Sequence, residues 1–366
     1  MYMPGKPILI MAGGTGGHVY PALAVADCLS RYDTPLFWLG TRNGFESRIV
    51  PRHKYELFTI DISGLRGKGL LKWCVAPFSL MLALLQAARI ILRVRPAAVL
   101  GMGGFASGPG GLAAWLLRVP LCIHEQNAVA GITNRILSHF ARVVMEAFPG
   151  TFPGNRNIYL TGNPVRQEIC EIPPPEQRIN TSNEKPLKLL VLGGSQGART
   201  LNRIVPSVLV SMQSELSIEV KHQTGKNFHD ETRVEYRNVS SSYELYPYMD
   251  EMSEAYSWAD IVLCRAGALT VAEIAAAGVA SILVPYPFAV DDHQTVNAMY
   301  LVRANAAICI QEKDLDIHSL CELLTDLCNS REKLLVMARE ARKLSRPDAS
   351  GHVAKICREV AYGRSA

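Results

Sequence analysis

Three glycine-rich loops, each directly after an apolar run, carry residue types that bind anions. The first spans residues 13–18 and ends at His18, and the others span 101–108 and 193–199. Glycine permits a tight turn and leaves backbone N–H groups at the next helix start pointing at an anion. A phosphate-type ligand is therefore predicted, although a single such loop could also serve only helix–strand packing.

The loops match the common nucleotide-binding motifs only in part. No loop ends in G-K-[ST], so a Walker A motif is absent. The second loop matches G-x-G-x-x-A through Gly101, Gly103 and Ala106, and Glu125 ends the next predicted strand in the place of a ribose-binding acid. A nicotinamide-dependent dehydrogenase therefore stays open as an alternative interpretation.

Metal and disulfide chemistry are not indicated. His124 with Glu125 resembles a metal-binding pair, and the Asp-Asp-His run at 291–293 resembles a D-x-D motif, but neither has a third ligand at a suitable spacing. We expect no structural metal and no cofactor, while a divalent ion could still assist a diphosphate. The nine cysteines include no C-x-x-C pair, which argues against a disulfide framework and indicates a reducing compartment.

The elements that position these residues alternate regularly. Short apolar runs, glycine-rich turns and helical patterns recur, which is typical of βαβ units in an α/β fold with parallel sheets. About five strands are predicted in each half of the chain: 7–12, 35–40, 97–102, 120–125 and 157–162, then 187–193, 218–225, 260–265, 280–286 and 306–310.

The chain is predicted to form two domains. Its 366 residues exceed the usual single-domain length, and the Pro-rich polar stretch 172–186 marks a linker region. Residues 7–27 and 187–205 both read as strand, double glycine and helix. Because open α/β sheets bind ligands at the carboxyl ends of their strands, we expect two Rossmann-like domains facing across one deep cleft.

The charge and the hydrophobic content of the chain indicate which kinds of partner it can bind. The 38 Lys and Arg against 33 Asp and Glu give a net charge of +5, an excess too small for nucleic-acid binding but suited to anionic ligands or an anionic membrane surface. With 48% hydrophobic residues, global disorder is excluded. The apolar run 8–12 is too short for a signal-peptide core, which indicates the first strand of a cytoplasmic protein.

Residues 70–92 form an apolar segment long enough for a spanning helix. Its polar residues recur at spacings of seven, three and four and so share one helical face: Ser79, Gln86, Arg89 and Arg93. The segment is therefore amphipathic. Basic and large apolar side chains at its start predict contact with a bilayer surface: Lys68, Lys72, Trp73, Phe78, Met81 and Leu85. Packing against the sheet is the alternative for most of 82–92.

Seven motifs together resemble one family. They are GGTGGH (13–18), GMGGFASGPGG (101–111), HEQN (124–127), GNPVR (162–166), LGGSQGAR (192–199), CRAGALTVAEIAAAG (264–278) and DDHQTVNA (291–298). From Ile8 to about Arg346 the chain resembles the MurG family of bacterial N-acetylglucosamine transferases. The resemblance implies the GT-B fold, an acceptor and membrane-facing domain at 1–165 with a returning helix at about 347–366, and a donor-binding domain at 166–346.

The resemblance also implies an activity. It is the inverting transfer of N-acetylglucosamine from UDP-GlcNAc to the 4-hydroxyl of the muramoyl sugar of lipid I, which gives lipid II and UDP in peptidoglycan synthesis. The implied location is peripheral, on the cytoplasmic face of the bacterial cell membrane. The implied partners are UDP-GlcNAc, lipid I, the anionic membrane and proteins of cell-wall synthesis and division, without nucleic acid. A UDP-GlcNAc 2-epimerase and a non-catalytic nucleotide-sugar sensor or scaffold are the alternatives.

Site residues follow from the matched motifs. The implied donor-binding residues are Thr15, Gly16, Gly17, Asn127, Arg166, Ser195, Gln196, Gly197, Met249, Ala268, Leu269, Thr270, Glu273 and Gln294. The implied acceptor-binding residues are Gly14, His18, Gly104, Phe105 and Glu125. Glu273 would accept hydrogen bonds from the ribose hydroxyls, its alternative being a helix-surface glutamate. Helix capping after Asp291 and Asp292 is the alternative for Gln294 and Asn297.

Transfer of a sugar to an alcohol requires a base for the attacking hydroxyl and donors for the departing diphosphate. His18 is the predicted base, because imidazole titrates near cellular pH. It could instead cap the helix or bind the acceptor's diphosphate, and Glu125 is the next candidate base. Phe105 stands where relatives carry Tyr, so no phenol role is expected there.

Overall fold

The structure is a computed structural model that describes residues 5–62, 70–154, 157–179, 181–182, 185–194, 197–214 and 216–363, without the side chains of 70–75 and 290. The chain divides into two compact units. Unit 1 comprises Met1–Arg166 and Arg346–Ala366, and unit 2 comprises Gln167–Ser345. Whether the units hold acceptor and donor, as the motifs predict, stays a prediction.

Unit 1 contains a seven-stranded parallel sheet. Its strands are β1 (Ile8–Met11), β2 (Leu36–Thr41), β3 (Glu56–Ile60), β4 (Ala98–Gly101), β5 (Leu121–Glu125), β6 (Val143–Glu146) and β7 (Ile158–Leu160). The spatial order is β3-β2-β1-β4-β5-β6-β7. The central strands β1, β4 and β5 are buried along their whole length, because helices cover both faces of a parallel sheet.

The helices of unit 1 cover two apolar clusters, one on each face of the sheet. They are α1 (Gly16–Ser30), α2 (Glu46–Ile49), α3 (Leu70–Val94), α4 (Ser107–Leu116), α5 (Ile132–Leu137) and α15 (Ala349–Tyr362). The last of these packs against α1 and β4, where Val353, Ala354 and Cys357 are buried in the same cluster as Val19 and Ala22. The end of the chain therefore contributes to the core beside the first glycine loop.

Unit 2 contains a six-stranded parallel sheet of order β10-β9-β8-β11-β12-β13. Its strands are β8 (Leu187–Leu192), β9 (Ile218–Gln223), β10 (Tyr243–Tyr246), β11 (Ile261–Cys264), β12 (Ala280–Leu283) and β13 (Ala307–Cys309). Its helices are α6 (Gln167–Cys170), α7 (Pro175–Arg178), α8 (Arg199–Met212), α9 (His229–Glu235), α10 (Met252–Trp258), α11 (Ala268–Ala277), α12 (His293–Val302), α13 (Ile317–Asn329) and α14 (Arg331–Lys343).

All ten predicted strands are present, and the α/β prediction with parallel sheets is confirmed. The predicted number of about five strands in each half is too low, because β3, β6 and β10 were not expected. These three strands lack a long, uniformly apolar run. β10 in particular lies at a sheet edge with its first residues exposed, so it needs little apolar sequence.

A fully buried histidine makes unit 2 sensitive to acid. His222 on β9 lies 2.9 Å from the Tyr236 hydroxyl and 3.0 Å from Asn202 Oδ1. Burial lowers the pKa of His222 to about 3. Because the unfolded chain binds a proton near pH 6.5 and the folded chain does not, stability falls with pH between 6.5 and about 3.

We expect His222 to reduce the free energy of unfolding of unit 2 by about 2 kcal/mol between pH 7 and pH 5. Denaturant unfolding at both pH values measures this loss. His222→Gln is expected to be less stable at pH 7 and to show a smaller loss on acidification. The same loss in the variant as in the native chain would assign the acid sensitivity to other groups.

Candidate active site

The first two glycine loops contact each other at the carboxyl edge of the unit 1 sheet. Gly104, at φ +88°, lies so close to the first loop that a Cβ atom would stand 2.2 Å from the carbonyl oxygen of Gly13. At Gly103, φ +97°, a Cβ atom would lie 2.8 Å from Nδ1 of His18. Both the backbone angle and the close approach therefore require glycine at these two positions.

His18 lies in the first turn of α1 and is partly buried. Its Nδ1 atom lies 2.9 Å from Oε1 of Gln126, which directly follows β5. Within the part of the chain that the structure describes, Nε2 of His18 makes no hydrogen bond. The ring is therefore held through one nitrogen and offers the other for chemistry.

Behind His18, a second histidine supports Gln126. His124 Nδ1 lies 3.1 Å from Gln126 Nε2, and His124 Nε2 lies 3.0 Å from the carbonyl oxygen of Gly162. His124 is completely buried, and burial lowers its pKa to about 4. At neutral pH the ring is therefore uncharged.

Glu125 is buried and bonded within its own loop. Oε1 accepts hydrogen bonds from the backbone and side-chain amides of Asn127, and Oε2 accepts from Gly131 N and Asn134 Nδ2. These contacts shape the turn between β5 and α5. The geometry therefore argues against Glu125 as the base. Phe105 on the second loop is exposed, so a ligand could reach its side chain more easily than it could reach Glu125.

Glu46 is a site residue that sequence reasoning missed. Its carboxylate is fully buried beneath the first loop and accepts hydrogen bonds from Gly14 N at 2.9 Å and from the backbone and hydroxyl of Thr41 at 2.7 Å. A Cβ atom at Gly13, Gly40 or Gly44 would collide with it. In the sequence, Gly40 and Gly44 on either side of Thr41 are the signal that the chain leaves room there for a buried side chain.

In unit 2, Glu273 lies in the middle of α11 and is only 5% exposed. Its Oε2 atom accepts a hydrogen bond from the Tyr256 hydroxyl at 3.1 Å. Burial is the main cause of the raised pKa of the Cys264 thiol at the end of β11, and the nearby negative charge of Glu273 raises it further. The alternative of a helix-surface glutamate is therefore wrong.

Gln294 and Asn297 on α12 each bond to a loop of unit 2. Gln294 Oε1 accepts from the backbone N–H of Tyr286 at 2.9 Å, and the buried Asn297 donates to Ala266 O at 3.3 Å. These two bonds do not cap the start of α12. The Asn297 contact fixes the turn that precedes α11, which carries Ala268, Leu269 and Thr270.

The third glycine loop follows β8. Gly197 has φ +80°, and a Cβ atom there would stand 2.5 Å from the carbonyl oxygen of Thr224. The loop leads into α8, which starts at Arg199. Ser195 and Gln196, predicted to hold the diphosphate, lie outside the described residues.

The predicted site residues divide between the two units. Unit 1 holds Gly14, Thr15, Gly16, Gly17, His18, Gly104, Phe105, Glu125, Asn127 and Arg166, and unit 2 holds Gly197, Met249, Ala268, Leu269, Thr270, Glu273 and Gln294. Arg166, expected at the start of the donor domain, is grouped with unit 1, where its guanidinium lies 5.4 Å from the ring centroid of Tyr20. Each unit therefore has its own group of predicted residues.

The helix α3 has a buried face and an exposed apolar face. Ala83, Ala87 and Ile91 pack into the unit 1 core. Side chains spaced by three, four and seven residues form an exposed stripe: Phe78, Met81, Leu85 and Leu92. Packing against the sheet therefore accounts for only part of 82–92. Lys68 lies outside the described residues, as do the side chains of Lys72 and Trp73.

By length and composition alone, Ala76–Val94 could cross a membrane, with 19 residues and a mean hydropathy of 1.5. Polar contacts tie this helix to the rest of unit 1. The Gln86 amide bonds Asp61 through both its oxygen and its nitrogen, and the Arg93 guanidinium lies 5.6 Å from the Phe58 ring centroid. Among the described residues, no group of three or more His, Cys, Asp or Glu is arranged to hold a metal ion.

Family comparisons match both units. The glycosyltransferase family 28 N-terminal domain matches residues 8–146, and the family 28 C-terminal domain matches residues 188–353. The second match extends into α15, which the structure groups with unit 1. Together these matches cover most of the chain, and with the two parallel sheets they confirm the predicted GT-B fold class.

Full-length relatives agree. The chain is 51% identical to the UDP-N-acetylglucosamine–N-acetylmuramyl-(pentapeptide) pyrophosphoryl-undecaprenol N-acetylglucosamine transferase of Nitrosococcus oceani, over 97% of this chain and 99% of the relative. It is 48% identical to the same-named protein of Aeromonas hydrophila, over 98% of each. The crystal structure of Acinetobacter baumannii MurG matches with a TM-score of 0.82 and 40% identity, covering 97% of this chain and 99% of that one. The chain therefore belongs to glycosyltransferase family 28 and, within it, to the MurG family.

Proposed function

We propose that this chain transfers N-acetylglucosamine from UDP-GlcNAc to the muramoyl 4-hydroxyl of lipid I, forming lipid II and UDP, with His18 as the base. The observation that carries the proposal is the geometry of His18. Its ring is anchored through Nδ1 at the edge where the glycine loops meet, and Nε2 makes no bond to a described residue. A general base needs such an accessible nitrogen.

In the proposed reaction, the acceptor hydroxyl gives its proton to Nε2 of His18 as its oxygen bonds to the sugar C1. The bond from C1 to the diphosphate oxygen breaks, and its electron pair leaves with UDP. Attack from the side opposite the leaving group inverts the anomeric carbon. The glycine-loop amides would stabilise the diphosphate charges at the helix starts.

We propose that unit 2 binds the uridine end of the donor. Glu273 supports this role, because a nearly buried carboxylate can accept both ribose hydroxyls while Tyr256 holds it in place. The backbone around Ala268 and the Gln294 amide would contact the sugar. Glu125 offers no comparable ribose site in unit 1, since its own loop already supplies its donors, and this disfavours the dehydrogenase interpretation.

The test is incubation of the purified chain with UDP-GlcNAc and a short-chain lipid I analogue. We expect a disaccharide product and UDP in equal amounts. The same incubation without acceptor tests the epimerase alternative, which would convert UDP-GlcNAc to its 2-epimer. Binding of UDP-GlcNAc without any product in either incubation would support a sensor and contradict the transferase proposal.

We further propose that the chain binds the cytoplasmic membrane surface peripherally through the exposed stripe of α3. Phe78 is 77% exposed, and Met81 and Leu85 continue the stripe along the helix. The exposed Arg89 follows on the same helix, and a cation beside apolar side chains suits an anionic bilayer. This surface would keep the enzyme next to its lipid-linked acceptor.

Replacing Phe78 and Leu85 with Ser should weaken binding to anionic phospholipid vesicles about tenfold. Partial insertion of each side chain contributes about 0.7 kcal/mol, less than half of full burial. Vesicle co-sedimentation measures the change, and turnover of a water-soluble acceptor should be unaffected. The control is Ile317→Ser with Val336→Ser, two exposed apolar residues of unit 2. If the Phe78/Leu85 variant still co-sediments with the vesicles as the native chain does, the membrane contact does not lie on the exposed stripe of α3.

A further inference from the structure

A chain of hydrogen bonds links His18 to the backbone at residue 162, all within unit 1. His18 Nδ1 lies 2.9 Å from Gln126 Oε1. Gln126 Nε2 lies 3.1 Å from His124 Nδ1, and His124 Nε2 lies 3.0 Å from Gly162 O. Because Gln126 and His124 are buried, few arrangements of the protons satisfy every member.

The direction of the chain follows from its buried end. The carbonyl oxygen of Gly162 can only accept, so His124 Nε2 carries a proton. A neutral imidazole has only one N–H, and burial keeps His124 neutral, so its Nδ1 must accept a hydrogen bond. The donor to Nδ1 is therefore the NH₂ group of Gln126.

A second contact agrees with this orientation of Gln126. Its Nε2 atom also lies 3.4 Å from the backbone carbonyl oxygen of His124, which again requires a donor. The amide oxygen of Gln126 consequently faces His18. An amide oxygen cannot donate, so His18 must place its proton on Nδ1.

We propose that Gln126 and His124 are positioning residues that hold His18 in the Nδ1–H tautomer, with the lone pair of Nε2 available to the acceptor hydroxyl. A histidine in water prefers the other tautomer, whose Nε2 already carries a proton and cannot act as a base. The glycine at 103 leaves room for the ring in this position, since a Cβ atom would stand 2.9 Å from Cε1. The use of this lone pair in catalysis rests on the proposed function. The assignment of the tautomer rests only on the hydrogen bonds described above.

The test is ¹⁵N NMR of the full chain labelled at histidine, at about pH 8.5, well above the pKa of imidazole in water. Imidazole ¹⁵N shifts separate a protonated nitrogen from a bare one, and loss of a signal pair in His18→Gln assigns the residue. We expect Nδ1 of His18 to be protonated and Nε2 bare. In Gln126→Met, which keeps the side-chain length without hydrogen bonds, the Nε2–H form should predominate.

In the same variant we expect kcat to fall about tenfold with little change in the KM for UDP-GlcNAc, because most molecules hold the wrong tautomer and general-base catalysis contributes about 10²–10⁴-fold. The matched control is Asn134→Leu. Asn134 on α5 is similarly buried and bonds the backbone oxygen of His124 and the Glu125 carboxylate, but not His18 or Gln126. Its loss should leave the His18 signals unchanged.

Two results would overturn the inference: Nε2–H as the main form of His18 in the native chain, or an unchanged tautomer in Gln126→Met. The native spectrum decides even if the variant does not fold. A changed tautomer with an unchanged kcat would instead contradict the role of His18 as base, and the positioning by Gln126 would stand.

Discussion

His18→Ala is expected to lower kcat by about 10²–10⁴-fold, the usual contribution of a general base to the chemical step. The acceptor KM should change little, because a base that takes the proton of the attacking hydroxyl acts in the chemical step rather than in acceptor binding.

Steady-state kinetics with a lipid I analogue measure both quantities. His139→Ala is the matched control, since His139 is an exposed histidine of unit 1 whose Nδ1 atom bonds the backbone of α5 at Arg135 and Ile136. A His18 variant that loses mainly acceptor affinity and keeps most of its kcat would show that His18 binds the acceptor's diphosphate and is not the base.

The parallel sheets could be predicted from the sequence because fully buried strands are continuous apolar runs. β1 and β4 are of this kind, and glycines at or just after their ends mark the turn into a helix. β3 and β10 are different, since they lie at the sheet edges and are exposed in part. An edge strand needs apolar side chains only on the face that packs against the core. In a strand of four or five residues, too few positions alternate for the sequence to distinguish the strand from a loop.

The site was predictable where glycine marks it and not where side chains distant in sequence meet. His18 and Gln126 are 108 residues apart, and Glu46 reaches Gly14 across 32 residues. Such contacts depend on the order β2-β1-β4-β5, which brings the strand ends together. The spacing of these residues along the chain does not reveal the order of the strands. The motifs therefore identified His18, but not the hydrogen bond that Gln126 makes to it.

The burial of Glu273 supports a second large effect, on the donor. We expect Glu273→Ala to weaken UDP binding by about 3 kcal/mol, roughly 150-fold, because two charge-assisted hydrogen bonds to the ribose contribute about 1.5 kcal/mol each. Glu273→Gln should be intermediate, since the amide keeps one acceptor but loses the charge. Isothermal titration with UDP measures both variants.

Two controls separate a ribose contact from a general weakening of unit 2. Glu254→Gln removes an exposed carboxylate from the neighbouring helix α10 and should bind UDP as the native chain does. Tyr256→Phe removes the hydroxyl that holds Oε2 but keeps the carboxylate, so it should cost much less affinity than Glu273→Ala. Titration with 2′-deoxy-UDP adds the decisive comparison: the native chain should bind it more weakly than UDP, and Glu273→Ala should no longer distinguish the two. Equal affinity of the native chain for both nucleotides would mean that Glu273 stabilises α11 and its surroundings rather than the ribose.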